Sequence, residues 1–340
     1  MNVFYPPIEQ THDPTRELDH GDPTVYPDSP ARTRAILAAI EREQLGILVP
    51  VAPPADIGFI AAVHDPEYLA FLQEFWPVWE ARYPARHEAV PHTFALRDRL
   101  SSRPPTRDRQ IGWWVFDTGT PLLATTWPVA TASAHAAFLA AGEVLAGAPR
   151  AYALCRPPGH HSASDAAGGY CYLNNAAIAA HALATQGRVA LIDLDYHHGN
   201  GTQQIFYTRS DVFFASLHAD PARKYPYFSG FAHEEGAGAG LGLTLNVPLP
   251  AGVGDRAYLE ALRPVLDRVV RYDPAFVVIS AGFDIYAGDP LGDFAVTVDG
   301  VRAIARQLAA LDRPLLVIQE GGYAVEALGS LVAAFLAEIV

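Results

Sequence analysis

The sequence predicts an α/β protein with a central parallel sheet and helices on both faces, and three observations support that prediction. Five short apolar runs, Ala151–Cys155, Val189–Asp193, Val212–Ser216, Phe276–Ser280 and Leu315–Gln319, have strand length. They lack the polar alternation of a half-exposed strand, as strands buried on both faces do. Stretches with helical periodicity fall between them, including Asn175–Thr185, Asp255–Arg271 and Thr297–Leu311, so strand and helix alternate as parallel crossovers require. No repeat, low-complexity tract or linker interrupts the 340 residues, and one domain over 1–340 is expected.

The first residues carry no basic stretch leading into an apolar run, so no secretory leader is expected. Residues 81–117 break the alternation. They hold Arg82, Arg86, Arg97, Arg99, Arg103, Arg107 and Arg109, are rich in proline, and close on Trp113-Trp114-Val115-Phe116-Asp117. A loop insertion this long is either a functional or interface element or a solvated excursion. Thr118–Gly142 contains no Asp, Glu, Lys or Arg. Its Thr, Ser, Pro and His content fits a buried helix better than a membrane span.

Half of the residues are hydrophobic and 18% are charged, enough apolar surface for a large core and too much for disorder. A net charge of −13 argues against nucleic acid as a partner. It is compatible with a cationic substrate and equally ordinary for a soluble protein. Cys155 and Cys171 form no disulfide framework or metal motif, which points to a reducing, cytoplasmic setting. Lys224 is the only lysine.

Four of the predicted strands end in polar clusters: Arg156-Pro-Pro-Gly-His160-His161, Asp193-Leu-Asp195-Tyr-His197-His198-Gly-Asn200, Ala281-Gly-Phe-Asp284 and Glu320-Gly-Gly-Tyr323. In an open parallel sheet ligands bind beyond the carboxyl ends of the strands, so all four clusters point to one site. Alternation along an extended segment puts Asp193, Asp195 and His197 on one side. Such convergence at a buried strand end demands a compensating cation. Asp195, His197 and Asp284 are the candidate ligands, and three protein ligands with an open position is the catalytic arrangement of zinc. Two carboxylates and one imidazole also suit Fe(II), Co(II) or Mn(II). Of the adjacent His160 and His161, one can serve as a general base while the other stays charged or hydrogen-bonding. Tyr323, after two glycines, is a candidate donor to an oxyanion.

Taken together, Arg156–His161, Gly168–Asn175, Asp193–Gly201, Ala281–Asp284 with Asp289–Gly292, and Glu320–Tyr323 resemble the histone deacetylase superfamily. Gln110–Trp113 and Ser216–Pro221 make the chain look most like its bacterial acetylpolyamine amidohydrolases. The resemblance implies an arginase–deacetylase fold, Zn2+ on Asp195, His197 and Asp284 (with Fe2+ or Co2+ as substitutes), and hydrolysis of an N-acetyl amide. It implies His161 as general base and then acid, and His160 as electrostatic support oriented by Asp193. Asn200, an aspartate in some members, would face His161, and Tyr323 would stabilise the oxyanion. It further implies Tyr170 and Tyr225 as channel walls, the Gly169 carbonyl as acceptor for the scissile amide N–H, and a K+ site near Asp193, Asp195 and the backbone around Ser216.

For substrate choice the resemblance implies a homodimer through the 81–117 loop that narrows the entrance, with carboxylates binding a distal ammonium. Asp108 matches one such acid; the second falls on Gly119, two residues from Asp117. The expected substrates are acetylputrescine, acetylcadaverine, acetylspermidine and similar small cationic amines, with no nucleic-acid or membrane partner. The alternatives are a lysine deacetylase acting on proteins or peptides and a non-catalytic acyl-ligand sensor. A dimanganese ureohydrolase would need a second ligand set, toward which only His198 is spare.

Overall fold

The computed structural model describes residues 1–19, 21–96 and 101–340. Among them lie strands β1 (Asn2–Tyr5), β2 (Arg16–Asp19), β3 (Asp22–Val25), β4 (Ile47–Pro50), β5 (Arg150–Ala153), β6 (Val189–Asp193), β7 (Val212–Ala219), β8 (Thr244–Leu249), β9 (Phe276–Ala281) and β10 (Leu315–Gln319). Eight of these form one sheet in the order β4-β1-β5-β10-β9-β6-β7-β8, and β2 pairs with β3 in a separate hairpin. Every neighbour pair in the large sheet is parallel, as the sequence predicts.

The five predicted strands form the interior of the sheet together with β1, and their residues alternate between two cores. In β6, Ala190 and Ile192 face one layer while Val189 and Leu191 face the other; in β9 the same split separates Val277 and Ile279 from Val278. The first layer is built by helices Pro30–Glu43, Asp255–Tyr272, Val298–Ala309 and Val325–Ile339. The second is built by Thr126–Leu145 and Asn175–Ala184, which present alanines such as Ala137, Ala140, Ala176 and Ala180 to the sheet. Small side chains let those helices lie close to the strands. Truncating a large aliphatic residue such as Ile192 to alanine would cost about 2–5 kcal/mol, transfer and cavity terms combined.

From Thr126 onward the charge-free stretch lies in the largely buried helix Thr126–Leu145, and no helix among the described residues is long and apolar enough to cross a membrane. Neither the hairpin strands β2 and β3 nor strands β1, β4 and β8 of the large sheet are predicted from the sequence. A third apolar cluster joins Trp114 and Ile111 of the 81–117 segment to Tyr68, Phe71, Phe75 and Leu122. That segment's guanidinium groups reach back to helix Pro66–Arg82, with Arg103 on Glu67 (2.9 Å) and Arg107 on Glu74 (2.8 Å). Arg97 and Arg99 lie outside the described residues.

The register places the site. Asp193 pairs with Ser280, Ser280 with Ile318, and Ile318 with Ala153. The ends of β5, β10, β9 and β6 are therefore level, and the four polar loops leave the sheet at one edge.

Candidate active site

Asp195, His197 and Asp284 converge, their ligand atoms all within 4.8 Å of one another. His197 Nδ1 lies 3.0 Å from Asp284 Oδ2 and 3.4 Å from Asp195 Oδ1. Backbone N–H groups aim the carboxylates: Gly321 donates to Asp195 Oδ2 (2.8 Å), His197 to Asp195 Oδ1 (2.9 Å) and Tyr196 to Asp284 Oδ1 (2.9 Å). Room for Asp195 exists because residues 282 and 321 are glycines; a Cβ there would stand 2.1 and 2.5 Å from Asp195 Oδ2. Both carboxylates are almost wholly buried. Burial first, then the neighbouring Asp195 charge, pushes Asp284 up to about 7. A pair of carboxylates this crowded and this desolvated fits a divalent cation, which would offset both charges at once.

A second group, His160, Cys171 and Glu320, also lies within ligand distance, but its atoms are committed to the scaffold. Glu320 Oε2 accepts from the N–H of Gly159 (2.7 Å) and of His160 (3.1 Å), and its Oε1 accepts from the Ser280 hydroxyl (3.0 Å). The Cys171 thiol donates to the Gly169 carbonyl (3.3 Å).

The two histidines sit 4.0 Å apart by ring centroid and have different partners. His160 Nδ1 donates to Asp193 Oδ2 (3.0 Å). Burial opposes its charge, but Asp195 and Asp193 overcome that penalty and raise it to about 10. His161 Nδ1 donates to Asn200 Oδ1 (2.7 Å). Burial, and then the charges of His160 and His197, hold His161 well below its ordinary value. The amide of Asn200 fixes the tautomer, leaving the Nε2 lone pair of a neutral imidazole free.

Tyr323 is buried, and burial keeps its phenol protonated well beyond the usual tyrosine range. Its loop is held from beneath by Arg32, which donates to the carbonyls of Gly322 and Glu320 (both 2.6 Å) and lies 4.7 Å under the Tyr323 ring. Arg32 also pairs with Asp28, which Arg156 reaches at 3.2 Å; Arg156 in turn binds Glu9 at 2.8 Å. The cluster of four buried charges ties the N-terminal segment to the loops bearing His160 and Tyr323. Sequence reading gave Arg32, Glu320, Asp28 and Glu9 no role, because only closure of the fold shows their partners.

Residues 26–339 match the family described as the histone deacetylase domain. The chain belongs to the histone deacetylase family. It is accordingly a hydrolase acting on acetyl amides with a divalent metal cofactor. It is 42% identical over 308 residues to acetylpolyamine amidohydrolase 1 of Pseudomonas aeruginosa, covering 89% of this chain and 88% of that protein. It is 40% identical over 334 residues to the acetylpolyamine amidohydrolase of Mycoplana ramosa, covering 97% and 96%. The crystal structure of acetylpolyamine aminohydrolase from Burkholderia pseudomallei superimposes with a TM-score of 0.95 at 39% identity, covering 100% of this chain and 98% of that one.

In this deacetylase the expected walls meet the site. The Tyr225 ring stands edge-on to His161 (4.9 Å), and Tyr170 edge-on to Tyr323 (5.8 Å). Tyr170 has φ of +66°, a costly conformation for a non-glycine residue. It is held there by an N–H bond to Thr120 Oγ1 (3.0 Å) and by its phenol, which donates to Glu17 Oε2 (2.8 Å). Glu17, from the hairpin, thus sets a carboxylate at the rim that sequence reading missed. The Gly169 carbonyl accepts from the Cys171 thiol and keeps a second lone pair.

The two acids expected to meet an ammonium have other tasks within this chain. Asp108 is buried, bound by Arg82 at 2.8 Å with Arg109 at 3.5 Å. Asp117 spends its carboxylate on Gly169, Tyr225 and Gly119. A cleft of about 1050 Å³ lies between the hairpin and the insertion, away from the metal cluster. It is lined by Glu17, Glu88 and Asp108 but also by Arg16, Arg86 and Arg109. His198 is buried, bonded to Ser229 Oγ (3.2 Å) and Gln203 Oε1 (3.1 Å). Lys224, beside Tyr225, pairs with Asp293 at 3.0 Å.

Proposed function

We propose that this protein hydrolyses the N-acetyl amide of small acetylated amines, acetylpolyamines such as acetylputrescine, acetylcadaverine and acetylspermidine, releasing acetate and free amine. The observation that carries this reading is the neutral His161, anchored at Nδ1 by Asn200, on the same strand-end edge as the clustered Asp195, His197 and Asp284. The acetylpolyamine amidohydrolases that match at about 40% identity over nearly the whole chain support the choice of substrate.

Zinc is the ion assigned to Asp195, His197 and Asp284, with Fe2+ or Co2+ as substitutes; when bound it supplies Lewis acidity toward the acetyl carbonyl and the attacking water. His161 Nε2 takes the water's proton and later passes it to the leaving nitrogen. His160, held charged by Asp195 and Asp193, lends positive potential to the developing negative charge. Tyr323 donates its phenolic hydrogen to the oxyanion, and the Gly169 carbonyl accepts the amide N–H. Tyr170 and Tyr225 flank the methylene chain. A K+ ion beside Asp193, Asp195 and the Ser216 backbone, a homodimer through residues 81–117 and a cytoplasmic location complete the proposal.

The test is a panel of acetylputrescine, acetylcadaverine, acetylspermidine and an acetyl-lysine peptide compared by kcat/KM, before and after chelation. Higher kcat/KM on the small amines, abolished by chelation and restored by zinc, is expected. Activity surviving complete demetallation overturns the mechanism, and a preference for the peptide overturns the substrate.

A further inference from the structure

We infer that Asp117 is a positioning residue that sets the width of the acyl-chain channel, and that Phe116 beside it closes the rim to peptide-borne acetyl-lysine. The inference rests on the proposed deacetylation and adds what selects its substrate.

One oxygen joins the two walls. Asp117 Oδ2 accepts the Gly169 N–H at 2.6 Å and the Tyr225 hydroxyl at 2.8 Å, while Oδ1 accepts the Gly119 N–H at 3.1 Å. Bonds to a carboxylate are short and strong, so the Gly169–Tyr170 turn and the Tyr225 ring are referenced to one atom. The turn needs such a tie, because Gly169 and Tyr170 are consecutive left-handed residues (φ +54° and +66°), a costly conformation at the non-glycine Tyr170. It also runs against the proposed base: a Cβ on Gly169 would stand 2.2 Å from His161 Cδ2.

Phe116 is seated by the same lacing. Its N–H donates to the Ala167 carbonyl (3.0 Å), and the Ala167 N–H to the Trp114 carbonyl (2.7 Å). Its ring covers Gly168, where a Cβ would come within 2.0 Å of Cζ. The ring runs 16° from parallel to Tyr225 with centroids 6.4 Å apart, and the residue is 38% exposed. An unbranched acylamine can thread past it, whereas an acetyl-lysine in a peptide must bring its main chain against this ring.

The test compares a monoacetylated diamine with an acetyl-lysine peptide on the wild-type enzyme, Asp117→Ala, Asp117→Asn, Tyr225→Phe and Phe116→Ala. Asp117→Ala is expected to raise KM for the diamine about tenfold, from the loss of bonds to a charged acceptor, with kcat changed little. Asp117→Asn, which keeps one acceptor oxygen, should recover most of the affinity. Tyr225→Phe should raise KM in the same direction but by less than Asp117→Ala, since it removes one of the three bonds that Asp117 accepts. Phe116→Ala should shift the kcat/KM ratio toward the peptide. Unchanged KM in Asp117→Ala, an equal fall in kcat on both substrates, or an unchanged ratio in Phe116→Ala overturns the inference. If Asp117→Ala does not fold, Tyr225→Phe reads the same bond by removing one oxygen, and unchanged KM there overturns it too. A wild-type enzyme active on the diamine with unaffected variants removes this inference alone. A wild-type enzyme that cleaves neither substrate removes the functional reading and this inference with it.

Discussion

Replacing Glu320 separates the scaffold of the site from its chemistry. The side chain is fully buried and accepts three hydrogen bonds, from the N–H of Gly159, the N–H of His160 and the hydroxyl of Ser280. Burial, against the opposing charge of His160 and with the charges of Asp193 and Asp195 adding to it, raises its carboxyl to about 7, so a neutral side chain of the same shape is a mild change. Glu320→Gln can keep its oxygen toward the two N–H groups and turn its amide toward the Ser280 oxygen. Glu320→Ala leaves both N–H groups buried without an acceptor, at about 1–3 kcal/mol each, roughly 2–6 kcal/mol together before any cavity cost. Denaturant unfolding of the three proteins measures this, with acetyl-amide hydrolysis followed in parallel. Glu320→Ala should lose stability on that scale together with activity, because His160 is no longer fixed at its backbone, and Glu320→Gln should stay near wild type in stability. Equal stability of the alanine and glutamine variants would refute the reasoning.

Tyr323→Phe should retain its metal, measured by elemental analysis, and lose about 10²–10³ in turnover; a near-wild-type rate removes Tyr323 from the chemistry. His64 accepts the Asn174 N–H on Nε2 (2.9 Å), and burial lowers it from 6.5 to about 4. Its folded pKa lies below the unfolded one, so its contribution is whole above pH 6.5 and lost as pH falls toward 4, about 3 kcal/mol in all. His64→Gln should flatten the acid limb of stability against pH; an unchanged limb would exclude His64 as a cause. Deleting residues 85–109 should give monomers in analytical ultracentrifugation with weaker preference for small polyamines, and an unchanged sedimentation coefficient counts against the dimer.

What was legible in the sequence had a local cause. Val189–Asp193 and Leu315–Gln319 read as interior strands because burial on both faces leaves no room for polar residues. Asn2–Tyr5 and Ile47–Pro50 are four residues each, too short for a pattern, and Thr244–Leu249 carries Asn246 and Pro248 at the sheet edge, where proline is tolerated. At the site, D-x-D-x-H announced itself because its members share one strand end. Asp117 did not: its partners at 169 and 225 are brought together only by loop packing, so an acid that braces two walls reads as one awaiting a cation. Asp108 differs for the same reason, since nothing local ties it to Arg82. Glu17 and Arg32 act across the whole fold and left no spacing to read.

The pairing of Lys224 with Asp293 has a practical side. Because the sequence has no other lysine, the ammonium of Lys224 is the one side-chain amine it offers to amine-reactive reagents. Lys224 sits one residue from the Tyr225 wall and is one-third exposed. A single reporter group, or a single surface tether, can therefore be attached beside the mouth without introducing a residue, and its signal would follow the wall as ligands enter.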